Sequence, residues 1–399
     1  MRDKVRKLSE KIIDGIRRGE IEDKEDLRRA KRNFSSDLGL SEMPSNADIM
    51  KLVPEEDRKD FRSILGIKPS RSISGVSNIA VMWNREDSCP GECIYCPRGE
   101  DAPQSYTGKE PAARRARRVY YDPYKQVENR LQQLELTGHS TEKSNLIIMG
   151  GTFPSAPWDF QKKFVKRCFD AFNGEDSGSL EEAQLKNESA DVRNIGITIE
   201  TRPDYAKKKQ INRMLKLGAT RVELGVQTLR NETHELTKRR HRVEDVVEAT
   251  KLLKDSSFKV AYHMMLGMPG ESKEYDHEKF KELFFNQEFM PDELKIYPTE
   301  VIEGTELYKM WKSGDFEPSS EEETMETIID IKKEIPPWVR IKRIMRDIPS
   351  PEVGAGPART NLRQMARQEM EKRGERCRCI RCREAGHVKN KRGEEPEDV

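Results

Sequence analysis

The residues with the clearest chemical potential in this chain are its cysteines, because six of the seven fall into two tight clusters. Near the front, Cys89, Cys93 and Cys96 follow the spacing C-x3-C-x2-C. Three thiolates can bind three irons of a cubane and leave the fourth iron without a protein ligand. A structural zinc ion needs four ligands, and no nearby histidine or fourth cysteine supplies one. The spacing therefore predicts an iron–sulfur cluster with one open iron, with zinc as the alternative.

The second cluster contains Cys377, Cys379 and Cys382, and His387 follows it in the pattern C-x-C-x2-C-x4-H. Thiolate sulfur and imidazole nitrogen are the ligands of closed tetrahedral zinc sites. We therefore expect structural zinc that holds the tail against the rest of the chain, with a second iron–sulfur cluster as the alternative. The seventh cysteine, Cys168, lies in an apolar helical stretch and is expected to be a buried thiol.

The elements that must position these residues follow a regular alternation. Short β-branched runs predict strands at 78–83, 146–149, 195–200, 221–226, 259–266, 294–297 and 339–345. Amphipathic stretches between them predict helices at 123–136, 160–172, 206–217, 243–254 and 322–335. This order predicts right-handed crossovers and a parallel sheet. Since no Rossmann glycine fingerprint is present, we expect an α/β fold with a partial or full TIM-type (β/α) barrel, whose active site lies at the carboxyl ends of the strands.

Several predicted strands end in residues that suit a ligand site. Gly150 and Gly151 follow the second strand, where glycine lets the backbone approach a ligand amine; a plain turn is the alternative. On the third strand, Glu200 could hold a ribose hydroxyl and Arg202 a carboxylate, or the two could pair with each other. Gln227 ends the fourth strand on the face expected to line the barrel interior.

Polar residues are also predicted inside the barrel. Glu223 shares a face of the fourth strand with Gln227, so both residues can line the barrel interior. His263 on the fifth strand is more typical of a satisfied core histidine than of a ligand. Lys295 and Tyr297 share a face of the sixth strand, and a buried lysine there would carry a desolvation cost unless it met an anionic ligand.

Charge and hydropathy bound the broad class. The chain of 399 residues has a net charge of +2, but residues 332–392 carry 18 Lys and Arg against 7 Asp and Glu. A stretch this basic is typical either of a solvated face or of a nucleic-acid contact. The sequence contains no apolar run long enough to span a membrane and no apolar leader, so we expect a soluble, cytoplasmic protein. In such a protein clustered cysteines indicate metal ligands rather than disulfides.

An ordered series of motifs resembles one family. A parallel barrel with C-x3-C-x2-C after its first strand resembles the radical S-adenosylmethionine (radical SAM) superfamily, and within it the chain is similar to the catalytic subunit of Elongator. The matching segments are 104–111, 121–124, 138–140, 149–153, 196–205, 295–299, 346–349 and 379–384. The resemblance implies a helical, tRNA-binding region at 1–75, a radical SAM barrel at 76–348, a basic zinc-binding segment at 349–390 and a charged tail at 391–399.

The resemblance also implies a reaction. In that family S-adenosylmethionine chelates the open iron, and an electron from the 4Fe–4S cluster cleaves it to a 5′-deoxyadenosyl radical. This radical takes hydrogen from the methyl group of acetyl-coenzyme A, and the resulting carbon radical adds to C5 of the wobble uridine (U34) of tRNA. Hydrolysis of the thioester then leaves a carboxymethyl group. The implied activity is that of a transferase, a radical SAM tRNA carboxymethyluridine synthase of the acyltransferase class.

The resemblance implies partners and further site residues. Lys143 matches a family lysine associated with acetyl-coenzyme A; from its position alone it would be an exposed loop residue. The anticodon stem–loop of tRNA is expected to bind through phosphates to basic segments, namely the front helices, Arg114–Arg118, and the face shared by Arg340, Lys342 and Arg346. An electron donor is also required.

One departure from the family concerns the carboxyl end. Full-length relatives continue into an acetyltransferase-like domain, whereas this sequence ends at Val399. We therefore expect either a separate acetyltransferase-domain protein as partner or a fragment of a longer chain. Another radical SAM modification of tRNA and a non-catalytic tRNA-binding remnant are the alternative functions. The lack of cysteines for a second cluster argues against the former, and the intact open-iron motif argues against the latter.

Overall fold

The front of the chain is a group of helices with an apolar core of its own. A computed structural model describes residues 2–40, 43–66, 73–85 and 89–386. The front helices are α1 (Arg2–Arg17), α2 (Lys24–Asp37), α3 (Asn46–Met50) and α4 (Arg58–Leu65). Each has an apolar face, and these faces bury Leu8, Ile12, Ile49 and Phe61 together. The fourth helix begins at Arg58, directly after a turn at residues 55–57.

The centre of the molecule is a seven-stranded parallel sheet. In pairing order its strands are β1 (Ser77–Met82), β2 (Lys143–Met149), β3 (Arg193–Thr201), β4 (Ala219–Gln227), β5 (Lys259–Leu266), β6 (Glu293–Pro298) and β8 (Arg340–Ile344). Each strand pairs in parallel with the next, and in the described part of the chain the two outer strands do not pair with each other. The sheet is thus a curled half-barrel, which confirms the partial form of the predicted barrel.

In the ranges that the structure describes, ten α-helices lie between the strands, and two more follow the last strand. They are α5 (Pro111–Arg117), α6 (Pro123–Leu136), α7 (Trp158–Asn173), α8 (Leu180–Asn187), α9 (Lys208–Lys216), α10 (Asn231–Leu236), α11 (Val243–Asp255), α12 (Lys273–Phe285), α13 (Glu306–Ser313), α14 (Glu321–Glu334), α15 (Leu362–Lys372) and α16 (Ile380–Arg383). All five helices predicted between the strands are present. No helix among the described residues combines the length and the apolar character needed to cross a bilayer.

The two faces of the sheet differ in chemistry, and this difference positions the site. On β3, Ile197 and Ile199 pack into the main apolar core, whereas Glu200 lines a cavity on the opposite face. This alternation follows from the two-residue period of a strand. A small antiparallel sheet of β7 (Val301–Ile302) and β9 (Val353–Ala355) lies beside the main sheet. It was not predicted, because strands this short leave no periodicity to detect.

Candidate functional site

A cavity of about 160 Å³ opens at the carboxyl ends of the parallel strands. Residues from the cysteine loop, from the ends of β3 to β6 and from the segment after β8 line it. This is the end of the sheet at which parallel barrels carry their active sites. Cys89 and Cys96 line the cavity, and Cys93 is buried beside them.

Polar groups from distant parts of the chain donate to the cysteine sulfurs. The Thr152 hydroxyl lies 3.4 Å from Cys89 Sγ, and Arg239 Nη1 lies 3.4 Å from Cys93 Sγ. Hydrogen bonds to sulfur stabilise thiolates, which are the form that binds iron. The loop is therefore built to hold negative charge on its sulfurs.

Cys96 has two further polar neighbours. Gln104 Nε2 donates to its Sγ at 3.2 Å, and Ser105 Oγ lies 2.9 Å away. Burial and the neighbouring Cys93 raise the pKa of Cys96, and the two hydrogen bonds oppose this rise. The thiolate of Cys96 is therefore supported mainly by these hydrogen bonds.

The spacing of the first three sulfurs differs from that of the ligands of a single ion. Among the described residues, ligand atoms within 4.8 Å of one another occur in two groups: Cys377/Cys379/Cys382, and Glu200 with Glu223 and His263. The first cysteine cluster is not one of them. Sulfurs that bind separate irons of a cubane stand further apart than ligands of one ion, so this arrangement fits a cluster better than zinc.

The glycines after β2 bring the backbone to the cavity. Gly150 and Gly151 have φ values of +112° and +89°, which side chains rarely tolerate. A Cβ on Gly150 would lie 2.5 Å from the Trp83 carbonyl oxygen. Gly151 itself lines the cavity between Met149 and Thr152. The turn is thus a close approach of the backbone to a cavity as well as a strand-to-helix connection.

Arg202 reaches from the end of β3 to the cysteine loop. Its Nε and Nη2 donate to the two carboxylate oxygens of Asp204, each at 2.9 Å. Its Nη1 is buried and has no hydrogen-bond partner in the described part of the chain. A Cβ on Gly91 would meet this Nη1 at 2.4 Å and Cys89 Sγ at 3.5 Å. The guanidinium therefore presents an unused donor beside the first cysteine.

Glu200 does not pair with Arg202; it pairs with Lys295 at 2.8 Å. Lys295 also contacts the fully buried Glu223 at 2.5 Å, and Lys342 contacts Glu223 at 2.7 Å from the other side. Burial by itself would raise the pKa of Glu223, but the two lysines hold it well below its usual range. The buried lysine expected to need an anionic ligand is thus neutralised by the protein.

Two further residues complete this interior group, Lys342 and His263. Lys342 was predicted on a tRNA-facing surface, and this was wrong, because its ammonium group lies between Glu223 and Glu293 inside the barrel. His263 Nε2 lies 2.7 Å from Glu223 Oε2, so the interpretation as a satisfied histidine is confirmed. Burial and Lys295 lower the pKa of His263 and favour its neutral form. The ammonium groups of Lys295 and Lys342 already form ion pairs with the carboxylates of this group, which disfavours binding of a metal ion here.

The two remaining predicted site residues differ in position. Gln227 lines the cavity with φ +75°, and its Oε1 is buried without a partner among the described residues. Lys143 is exposed and begins β2, so it lies at the strand end opposite the cavity. The structure therefore brings Gly151, Glu200, Arg202 and Gln227 together around the cysteine loop and leaves Lys143 apart.

Sequence reasoning missed the segment after β4. Arg239 is buried between Cys93 and Gly225, whose carbonyl oxygen accepts from Nη2 at 2.5 Å. The rings of His234 and His241 contact each other beside it, with centroids 4.4 Å apart and planes tilted by 60°. Burial and the Arg239 charge lower the pKa of His234 to about 4 and that of His241 well below its usual value. The only sequence signal was the basic string at 238–242, which would suggest a surface.

The second cysteine cluster lies away from the cavity, next to the start of β8. The Ile380 amide donates to the Val339 carbonyl at 3.0 Å. Hydrogen bonds from the Cys377 and Cys382 thiols hold the pKa of Cys379 well below its usual value. His387, the predicted fourth ligand, and the tail at 391–399 lie outside the described residues.

A buried lysine supports an anionic metal centre at this second cluster. Lys332 is 1% exposed, and its Nζ lies 4.0 Å from Cys382 Sγ. A buried ammonium needs a compensating negative charge, which three neutral thiols would not supply. Thiolates bound to a metal would supply it, so the residues fit a metal site.

Family models match most of the chain. Residues 5–73 match the ELP3 N-terminal domain, residues 84–282 match the radical SAM superfamily, and residues 291–372 match the radical SAM C-terminal domain.

Individual proteins match over greater lengths. A tRNA uridine(34) acetyltransferase of Methanocaldococcus jannaschii is 50% identical over 98% of this chain and 74% of its own length. Elongator complex protein 3 of Homo sapiens is 42% identical over 90% of this chain and 68% of its own length. Among solved structures, Methanocaldococcus infernus Elp3 with residues 1–46 deleted superposes with a TM-score of 0.72 at 50% identity. That match covers 81% of this chain and 69% of the other.

Proposed function

Because this chain belongs to the radical SAM family of the tRNA uridine(34) acetyltransferases and Elongator complex protein 3, we propose that it adds a carboxymethyl group to C5 of the wobble uridine of tRNA. The observation that carries the proposal is the three-cysteine loop at the mouth of a cavity at the carboxyl ends of the strands. The proposed carbon source is acetyl-coenzyme A, which the names of the archaeal relatives support. The proposed enzyme class is therefore an acyltransferase.

The radical SAM domain implies a 4Fe–4S cluster and S-adenosylmethionine as cofactors. We assign Cys89, Cys93 and Cys96 as the cluster ligands. Together the two cofactors supply radical cleavage of an unactivated C–H bond. The contribution of the chain is to hold the three thiolates, with donors from Thr152 and Arg239.

The cavity residues are proposed to bind S-adenosylmethionine. Arg202 Nη1, buried and unpartnered next to Cys89, is suited to the carboxylate of the amino acid part. The backbone of Gly150 and Gly151 is suited to its amino group. Glu200 and Gln227, both lining the cavity, are suited to ribose hydroxyls and to the base edge. Gln227 has the unused buried acceptor that such a contact would satisfy.

The tRNA is proposed to dock its anticodon stem–loop over the cavity mouth and to insert the uridine. Extrusion of a single base from a loop is the common way for an enzyme to reach its target atom. The front helices and the arginines of α5 are the proposed phosphate contacts. Arg340 and Arg346 are weaker candidates, because they bond to Glu384 and to the Ser105 carbonyl.

Zinc is proposed at Cys377, Cys379, Cys382 and His387, with Lys332 balancing the thiolate charge. Lys143 remains a proposed acetyl-coenzyme A contact. Since it is exposed at the far end of β2, such a contact would be made outside the cavity. A separate acetyltransferase-like protein and an electron donor are the further proposed partners.

An anaerobic assay tests this function. The chain is reconstituted with iron and sulfide and mixed with S-adenosylmethionine, tRNA, acetyl-coenzyme A and a reductant, with and without an acetyltransferase-domain protein. Release of 5′-deoxyadenosine and formation of modified nucleosides are measured by mass spectrometry. We expect both products, and their loss in Cys93→Ala but not in Cys168→Ala, which removes the buried thiol of α7. Cleavage of S-adenosylmethionine without carboxymethyluridine in either arm would contradict the proposed product, and the absence of cleavage would contradict the enzyme itself.

A further inference from the structure

Tyr120 is the most exposed large apolar side chain in the described part of the chain, at 92% exposure. It lies in the turn between α5 and α6, and its φ is +53°. The next residue, Tyr121, has φ +58°. Residues other than glycine and asparagine seldom take this left-handed conformation, because Cβ then crowds the following carbonyl oxygen. Two consecutive tyrosines therefore occupy positions that favour glycine.

The two tyrosines differ in what offsets this strain. The Tyr121 hydroxyl donates to the Asp101 carbonyl at 2.5 Å, and its ring packs on the apolar cluster under α5. The Tyr120 amide donates to the Arg117 carbonyl at 3.0 Å, but its side chain makes no hydrogen bond, ion pair or ring contact with any described residue. Its side chain thus adds nothing to the folded state that compensates for its backbone. Strain without local compensation is typical of functional positions.

The surroundings of Tyr120 indicate the kind of partner. The preceding α5 carries Arg114, Arg115 and Arg117, and Arg118 follows it. The helix begins at the cavity, since Glu110 and Ala112 line it. At 1.5 Å per residue, Tyr120 lies about 12 Å along the chain from that rim. This distance corresponds to roughly three or four stacked bases at 3.4 Å each.

We propose that Tyr120 is a stacking platform for an unpaired base of the same RNA loop, roughly three or four nucleotides from the base in the cavity. The ligand class is a single-stranded RNA loop, whose phosphates meet the α5 arginines and whose base face meets the exposed ring. A protein partner is disfavoured, because a flat ring surrounded by like charges matches a polyanion better than an apolar interface. This inference rests on the proposed tRNA substrate.

The test uses anticodon stem–loop RNAs with 2-aminopurine placed either three or four nucleotides from the wobble uridine. Stacking quenches 2-aminopurine, so we expect the reconstituted wild-type protein to quench one of the two positions. Tyr120→Ala should abolish this quenching and weaken the affinity about tenfold or more. Tyr120→Trp should retain both. The salt dependence should stay unchanged in Tyr120→Ala, whereas Arg117→Ala should reduce the slope of log Kd against log salt by about one.

Two controls separate stacking from folding. Phe285→Ala removes another exposed aromatic residue, on α12, and should change neither signal. Tyr120→Gly should melt at or above the wild-type temperature, because glycine accepts the left-handed conformation, and yet bind RNA weakly.

The outcomes separate the inference from the function on which it rests. Wild-type binding that Tyr120→Ala leaves within twofold, with quenching intact, would overturn the stacking role alone. Failure of the wild-type chain to bind the RNA at all would overturn the proposed substrate together with the inference.

Discussion

Arg239 is the buried side chain that ties the cysteine loop to the sheet. It donates to Cys93 on one side and to the Gly225 carbonyl of β4 on the other. Burial opposes its charge, but Tyr95 and Cys93 raise its pKa, so it remains cationic. The neutral His234 and His241 packed against it add no competing charge. A fixed cation beside a thiolate stabilises the reduced state of an iron–sulfur cluster, which carries the more negative charge.

Arg239→Gln is therefore expected to lower the reduction potential of the reconstituted cluster. A tenfold change in the reduction equilibrium corresponds to 59 mV for one electron, and we expect a shift of about that size or more. Redox titration followed by electron paramagnetic resonance measures it. Arg240→Gln is the matched control, because Arg240 is exposed and pairs with Glu92 of the same loop without donating to a sulfur. Equal potentials in the two variants would refute a direct role of the hydrogen bond.

Glu300 is a second residue with a testable consequence. It is 5% exposed, and its Oε2 has no partner among the described residues. Burial raises its pKa from 4.5 to about 7, while Arg346 opposes the rise. Between pH 4.5 and about pH 7 the folded state keeps a proton on Glu300 that the unfolded state has lost. The free energy of unfolding therefore falls as the pH rises through this range. Above pH 7 the penalty is about 3 kcal/mol.

Glu300→Gln should remove this pH dependence. Between pH 4.5 and pH 7.5 we expect the free energy of unfolding of the variant to rise by about 3 kcal/mol relative to that of the wild type. Urea unfolding at a series of pH values gives the free energies of unfolding. A constant difference between the two proteins over this range would show that folding does not raise the pKa of Glu300.

At the scale of elements, regular patterns were predictable and irregular ones were not. The seven strands of the main sheet were predicted because β-branched runs recur between amphipathic helices, and β5 was placed at its observed bounds. The inward direction of Lys342 was not predicted, since a period of two says which residues share a face but not which face is interior. The hydrogen-bond donors to the cysteine sulfurs were not predicted either, because Thr152 and Arg239 come from distant segments that meet only in the fold.

The glycine turn after β2 leads to a prediction about stability. Gly150→Ala would place a Cβ 2.5 Å from the Trp83 carbonyl oxygen at φ +112°. We expect the free energy of unfolding to fall by about 2–4 kcal/mol, because both the backbone conformation and the contact are unfavourable for alanine. Gly174→Ala is the control: Gly174 ends α7 at φ +72° with nothing within 4 Å, so it should cost only about 1–2 kcal/mol. Similar melting temperatures for the two variants would contradict the close approach.

At the scale of the whole molecule, the two cysteine clusters occupy separate places with separate tasks. The first lines the cavity at the carboxyl ends of the strands, and the second packs at the start of β8. Removal of the zinc proposed at the second cluster should therefore lower the melting temperature by several degrees and leave the cavity intact. Chelation followed by thermal melting and by a binding assay for S-adenosylmethionine checks both parts. Loss of binding well below the new melting temperature would show that the two sites depend on each other.

We propose that this chain uses the methyl group of acetyl-coenzyme A as the hydrogen donor in a tRNA-dependent radical reaction. The most direct measurement supplies acetyl-coenzyme A with a trideuterated acetyl group and determines the mass of the 5′-deoxyadenosine released. We predict one deuterium in the product when tRNA is present, and none when Cys93→Ala replaces the wild type. Unlabelled 5′-deoxyadenosine from the active wild-type protein, with tRNA and labelled donor both present, would contradict the account.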